Sequence, residues 1–278
     1  MKILVTGAKG QLGYDIIKEL TNRGISHKGI DISDCDITNN SEVFDTITTY
    51  NPTAVIHCAA YTAVDKAEDE PDLCRQINEG GTSNIAQACK QINAKMIYIS
   101  TDYVFPGSCS HFHKPDDPTG PLSVYGQTKL AGEKAVRENL EKHFIVRISW
   151  VFGQNGNNFV KTMLRLGQER SKLNIVCDQI GSPTYTTDLA PLLCDMAVSR
   201  KYGTYHATNE GICSWEEFAI EIFRLANLDI TVSPIPSSEY PTKATRPLNS
   251  RLDKSCLEEA GFSLLPHWKD ALARYMNL

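Results

Sequence analysis

The chain opens Lys2-Ile-Leu-Val-Thr-Gly7-Ala-Lys-Gly10-Gln-Leu-Gly13, and this stretch decides the fold. Residues 2–6 are a short β-rich run. An apolar helical pattern over Leu12–Arg23 follows the glycines at once and ends at Gly24. A strand, a glycine turn and a helix start, in that order, form a phosphate cradle. Gly7 permits the tight turn, Gly10 lets backbone approach a pyrophosphate, and Gly13 lets helix and strand pack closely. The N–H groups at the helix start then face the phosphates. The spacing is G-x-x-G-x-x-G, one residue wider than the commonest dinucleotide fingerprint, so position along the chain carries the assignment.

Asp31 ends the second strand, read over His27–Ile32, and lies 18 residues after Gly13. A carboxylate there hydrogen-bonds an adenosine ribose and repels a 2′-phosphate, which favours NADH. Lys9 inside the turn pulls toward NADPH, because an ammonium pairs with a phosphate. Both cofactors remain open at this stage.

Strand-like and helical runs alternate through the first half. Thr53–Cys58, Lys95–Ser100 and Phe144–Ser149 read as strands. Ser41–Tyr50, with Ser41 as N-cap, Asn78–Gln91 and Tyr125–Leu140 read as helices. The alternation predicts an α/β fold, a Rossmann-like doubly wound parallel sheet. After about Val151 the segments shorten. Ser214–Ala226, with Ser214 and Glu217 at capping-box spacing, and Lys254–Ala260 stand out as helices. The expected organisation is a dinucleotide-binding unit over residues 1–150 and a smaller α/β substrate-binding lobe over 151–278. Some later segments, such as Ile175–Cys177, are expected to return to the main sheet.

The composition agrees with a globular protein: 278 residues, 41% hydrophobic and 22% charged, with net charge −5. Residues 1–139 carry 13 basic against 18 acidic side chains, and residues 140–278 carry 15 against 15. Without a basic block, neither nucleic acid nor an anionic membrane is an expected partner. No apolar run approaches the ~18 residues of a membrane span. The opening apolar run of three residues, Ile3 to Val5, is too short for a secretion signal. The nine cysteines are odd in number and show no Cys-x-x-Cys, as expected of reduced cytoplasmic thiols acting as small hydrophobes. His111 and His113 flank Phe112 with no recognised Cys or His cluster beside them, so no metal site is expected.

Tyr125-Gly-Gln-Thr-Lys129 places a phenol and an ammonium four residues apart on one helix face. A neighbouring ammonium lowers a tyrosine pKa. Such a tyrosine protonates a carbonyl oxygen while hydride arrives at carbon.

Together with this pair, the glycine turn, His57-Cys-Ala-Ala-Tyr-Thr62, Thr62-Ala-Val-Asp-Lys-Ala-Glu68, Ser100-Thr-Asp-Tyr-Val-Phe-Pro-Gly107, Val124-Tyr-Gly-Gln-Thr-Lys-Leu-Ala-Gly-Glu-Lys134 and Arg246-Pro-Leu-Asn-Ser-Arg251 resemble the extended short-chain dehydrogenase/reductase family over essentially the whole chain. The resemblance implies an NAD(P)H-dependent reductase of the 4-keto group of a dTDP-activated sugar, dTDP-4-dehydro-L-rhamnose, giving dTDP-L-rhamnose. It further implies that Gly7, Gly10, Gln11, Leu12 and Gly13 contact the dinucleotide. Asp31 would face the adenosine ribose, Asp36 and Ile37 the adenine, and Ala59, Ala60, Tyr61 and Thr62 the cofactor past the third strand. Tyr125 would be the proton donor, Lys129 its partner and the ribose holder, and Thr101 the carbonyl-orienting hydroxyl. Asp102, Trp150, Arg246 and Asn249 would contact the nucleotide sugar.

Related dehydratases carry an acid directly after Thr-Asp, where this chain has Tyr103, which disfavours water elimination. The other readings that the resemblance admits are a reductase or epimerase of another nucleotide sugar, and a non-catalytic relative such as the regulatory β subunit of methionine adenosyltransferase. The complete Thr101, Tyr125 and Lys129 set argues for chemistry. Some family members carry a glutamate linked to Mg2+ at a subunit contact; here the position is Asp15, and no matching glutamate is found near the C-terminus. A homodimer in the cytoplasm is the expected state.

Overall fold

The computed structural model describes residues 1–277. In chain order the first half contains β1 (Lys2–Thr6), α1 (Gln11–Asn22), β2 (Ser26–Ile30), α2 (Asn40–Tyr50), β3 (Ala54–His57), α3 (Val64–Ala67), α4 (Pro71–Arg75), α5 (Thr82–Gln91), β4 (Lys95–Thr101), α6 (Val124–Asn139) and β5 (His143–Ile148). The second half contains β6 (Val151–Phe152), α7 (Phe159–Glu169), β7 (Lys172–Val176), β8 (Ile180–Gly181), β9 (Thr184–Tyr185), α8 (Thr186–Val198), β10 (Gly203–His206), β11 (Asn209–Glu210) and β12 (Cys213–Ser214). It closes with α9 (Trp215–Leu225), β13 (Thr231–Ile235), β14 (Asn249–Ser250), α10 (Ser255–Glu259), β15 (Leu265–His267) and α11 (Trp268–Met276).

The main sheet has six parallel strands in the order β10-β5-β4-β3-β1-β2. Every residue of β3 is buried, and β4 is buried from Met96 to Thr101, because helices cover both faces. One apolar core joins α1 and α8 to the sheet, and the other joins α2, α5 and α6. From β1 the chain runs outward to β2, then returns to pair β3 on the other side of β1. This reversal opens a crevice at the carboxyl ends of β1 and β3, where an open α/β sheet receives its ligand.

The predicted strands and helices of the first half are present, with two differences. Helix α2 is capped by Asn39, whose side chain accepts from the Ser41 and Glu42 amides, and not by Ser41. The helix read over Asn78–Gln91 is α5 preceded by a π-helical segment, Gln76–Gly81, which leaves Asn78 buried and turned inward.

In the second half, the expectation for Ile175–Cys177 is corrected. Strand β7 pairs in parallel with β13, around a separate aromatic core that includes Phe152, Tyr185, Phe218 and Trp268. The segments that return to the main sheet are α8 and β10. Helix α8 is buried along most of its circumference against α1 and the sheet, so its sequence lacks the amphipathic stripe by which a surface helix is recognised. The capping box at Ser214 and Glu217 is formed in both directions.

Candidate active site

The glycine turn joins β1 to α1 with little space to spare. Gly7 has φ +64, and a Cβ there would lie 2.7 Å from the Ala59 nitrogen. A Cβ at Gly13 would lie 2.1 Å from the Gly7 carbonyl oxygen. The crossing of helix and strand therefore excludes any side chain at either position. Gly7, Gly10, Gln11, Leu12 and Gly13 form one end of a cleft of about 810 Å³.

Asp31, Asp36 and Ile37 line the same end. The Asp31 carboxylate accepts from the Lys9 amide at 3.0 Å and the Ile32 amide at 2.9 Å. The Lys9 ammonium donates to Ser33 Oγ at 3.0 Å. A carboxylate suited to ribose hydroxyls thus sits beside an ammonium suited to phosphate. Ala59, Ala60 and Thr62 line the cleft past β3. Tyr61 does not: its hydroxyl donates to Glu70 at 2.7 Å and its amide to the Asn78 side chain at 2.8 Å, which turns the ring away. The glycine cradle, the helix N-terminus and the paired acid and base fit a dinucleotide.

Thr101, Asp102, Tyr125, Lys129 and Trp150 gather at the other end. Tyr125 lies in the first turn of α6, whose N-cap Ser123 accepts from the Gly126 amide at 3.2 Å. Tyr103 packs edge-on to the Tyr125 ring at 5.4 Å. Burial pushes the Tyr125 phenol well above its ordinary pKa, while Thr101 beside it pulls the other way.

Lys129 is one helical turn further on and 3% exposed. Its ammonium donates to the Ile99 carbonyl at 2.7 Å and sits 4.2 Å from the centre of the Tyr98 ring. Burial brings its pKa down to about 7, against the pull of Glu133. The expectation that Lys129 lowers the Tyr125 pKa is not met here, because the ammonium is directed at a backbone carbonyl and its own charge is disfavoured.

Thr101 donates to Asp102 at 2.9 Å and accepts from the Tyr103 amide at 3.2 Å. Asp102 also accepts from the Ser250 hydroxyl, and burial raises its pKa to about 6 against those hydrogen bonds. Trp150 has φ +50, rare for so large a side chain. Its ring stacks on Trp215 at 3.7 Å and forms a wall of the cleft. Backbone strain of this kind concentrates at functional sites.

Two expected substrate contacts lie elsewhere. Arg246 donates to the Tyr103 hydroxyl at 3.0 Å and to Asp65 at 2.6 Å, so it reaches the cleft through Tyr103 without lining it. Asn249 does not line the cleft either. Its amide donates to the His111 carbonyl at 2.7 Å and to Cys109 Sγ at 3.1 Å, and its oxygen accepts from Arg251. Asp15 is buried where α1 meets α8 and accepts from the Thr186 and Thr187 hydroxyls.

Sequence reading missed three features. Tyr103 lines the cleft and supports Tyr125. Buried Glu133 accepts from Ser100 at 2.7 Å and forms a bidentate pair with Arg147, both contacts 2.8 Å. Cys109, unremarked beside His111 and His113, lies with them in one cluster. The Glu133–Arg147 pair rests on contacts between distant elements and leaves no local signal, whereas Tyr103 adjoins Thr101-Asp102 in the sequence and reads there only as the place of a missing acid. The third had a signal in the Cys-x-His-x-His spacing.

The comparisons accord with this geometry. Residues 1–278 match the family described as the RmlD substrate binding domain. A dTDP-4-dehydrorhamnose reductase from Streptomyces griseus is 42% identical over 276 residues, covering 97% of this chain and 91% of that protein. A crystal structure of a dTDP-4-dehydrorhamnose reductase from Clostridium acetobutylicum superposes with TM-score 0.97 at 44% identity, covering 100% and 99% of the two chains. A dTDP-4-dehydrorhamnose reductase from Bacillus anthracis, in complex with NADP, gives TM-score 0.97 at 43% identity and 99% and 98% coverage. The chain belongs to the dTDP-4-dehydrorhamnose reductase family of extended short-chain dehydrogenases/reductases.

Proposed function

We propose that the cleft reduces the 4-keto group of dTDP-4-dehydro-L-rhamnose with NADH or NADPH, giving dTDP-L-rhamnose. The observation that carries this reading is the convergence of Thr101, Tyr125 and Lys129 on a cleft whose other end is the glycine cradle. A bound reduced nicotinamide supplies hydride to the keto carbon. Tyr125 stays a neutral phenol at neutral pH and transfers its proton to the developing alkoxide oxygen. Thr101, positioned by the Tyr103 amide, orients that oxygen by turning its one hydroxyl proton from Asp102 to the substrate. Lys129 protonates readily once an anionic dinucleotide lies beside it, and its charge then favours the phenolate left on Tyr125.

In this reading, residues 1–150 hold the dinucleotide and the lobe from 151 covers the sugar. The contact of Asn158 with Gln11 at 3.1 Å supports that arrangement, because it joins the lobe to the glycine turn. Among the described residues no helix is long and apolar enough to cross a membrane. A cytoplasmic location and a homodimer complete the reading on family resemblance alone.

The test follows loss of nicotinamide absorbance with enzymatically prepared dTDP-4-dehydro-L-rhamnose, in parallel with NADH and NADPH. Turnover is expected with at least one of them. Tight dinucleotide binding without turnover would instead favour another keto-sugar or a partner-binding regulator.

A further inference from the structure

Behind the sugar end of the cleft, the loop after β4 folds back on β14. His113 donates its amide to the Arg251 carbonyl and accepts from the Asp253 amide, both at 2.8 Å. Its ring is buried and stacks on Phe105 at 4.2 Å. This rigid anchor brings four potential donors together. Cys109 Sγ lies 3.4 Å from His113 Nε2. His111 Nε2 lies 3.4 Å from Asp117 Oδ2, and His113 Nδ1 lies 3.9 Å from the same oxygen. The Cys109, His111 and His113 donor atoms all fall within 4.8 Å of one another.

Bonds of ~2.0–2.3 Å at tetrahedral angles separate neighbouring ligand atoms by about 3.3–3.6 Å. Measured from a single His113 nitrogen, Nδ1, Cys109 Sγ lies 3.8 Å away and Asp117 Oδ2 3.9 Å, while His111 Nε2 lies 3.4 Å from the same carboxylate oxygen, so shifts of a few tenths of an ångström would close one shell. A thiolate, two imidazoles and a carboxylate form a donor set suited to zinc and unsuited to magnesium or calcium. The surrounding contacts also suit a metal site, since outer hydrogen bonds orient the ligands of a bound metal. The Asn249 amide donates to Cys109 Sγ at 3.1 Å, and the Lys114 amide donates to Asp117 at 2.9 Å. His111 is exposed and leaves a path of entry.

We propose that Cys109, His111, His113 and Asp117 form a binding site for a divalent transition ion, with zinc the metal their chemistry favours. The ion would clamp the loop that Asn249 holds, and Asn249 in turn lies next to Ser250, the partner of Asp102.

The test uses full-length protein without a histidine tag, stripped with a chelator, dialysed, and titrated with Co2+ and then Zn2+. One equivalent of cobalt is expected to give tetrahedral visible bands and a thiolate-to-cobalt charge-transfer band in the near ultraviolet, both bleached by zinc. Cys109→Ser should abolish the charge-transfer band, whereas Cys177→Ser, at another half-buried thiol, should leave it. His111→Ala, at an exposed position, should weaken zinc binding at least tenfold with an unchanged circular dichroism spectrum, and decides the matter should Cys109→Ser fail to fold. No thiolate band in the wild type, or zinc affinity unchanged in His111→Ala, would overturn the proposal.

Discussion

The ammonium of Lys129, a residue only 3% exposed, carries a desolvation cost that one hydrogen bond to the Ile99 carbonyl does not offset. Lys129 titrates near 10.5 in the unfolded chain and near 7 in the fold. Between these values the unfolded state binds more protons, so the contribution of Lys129 makes stability rise with pH from about 7 to 10.5. Below pH 7 both states are protonated and the full cost stands. Lys129→Met should therefore stabilise the unliganded protein by about 1–3 kcal/mol at pH 7, with the gain shrinking toward pH 10.5, while activity is lost. Guanidinium unfolding at a series of pH values measures this, and a gain independent of pH would refute the assignment. Tyr125→Phe removes only the phenolic hydroxyl. Turnover should fall by roughly 10²–10⁴-fold with dinucleotide affinity kept, as stopped-flow and titration would read. Survival of turnover would exclude Tyr125 as the acid.

The elements that hold these residues depend on one buried ion pair. Glu133 on α6 and Arg147 on β5 bind each other bidentately, and Ser100 at the end of β4 donates to the same carboxylate. Burial alone would raise the Glu133 pKa, but the hydrogen bonds and charge of Arg147 keep it lowered. Glu133→Ala leaves Arg147 buried without its carboxylate and should cost about 3–5 kcal/mol. Chemical denaturation would measure that cost, and a loss below 1 kcal/mol would show that the pair contributes little. Since the pair ties α6 to the sheet one turn beyond Lys129, the same variant should also lower turnover.

Across the whole molecule, the chain after β6 reaches back to the glycine turn. Asn158 caps α7 through the Lys161 amide at 3.0 Å while its own amide donates to Gln11 at 3.1 Å. Nearby, Asn155 donates to the Lys9 carbonyl. Asn158→Ala should cost about 1 kcal/mol as a lost cap and weaken dinucleotide binding severalfold by freeing Gln11. Thermal melts and calorimetric titration separate the two effects. Unchanged dinucleotide affinity would show that the lobe does not support the turn.

What the sequence determined by itself is the part whose physics is local. The strand–turn–helix start, the alternation of first-half elements, the capping box at Ser214 and the Tyr125/Lys129 pair all arise from residues within a few positions of one another, and periodicity and steric need make them legible. Only tertiary structure decided the rest. It chose β10 over the Ile175 segment as the sixth strand, because the apolar surface of β7 is taken up by β13 and the aromatic core. It turned Tyr61 and Asn249 away from the cleft by giving their polar groups other partners. It reversed the expected shift of Tyr125, because the charge state of a buried pair depends on how much water the whole fold removes and on where the ammonium points.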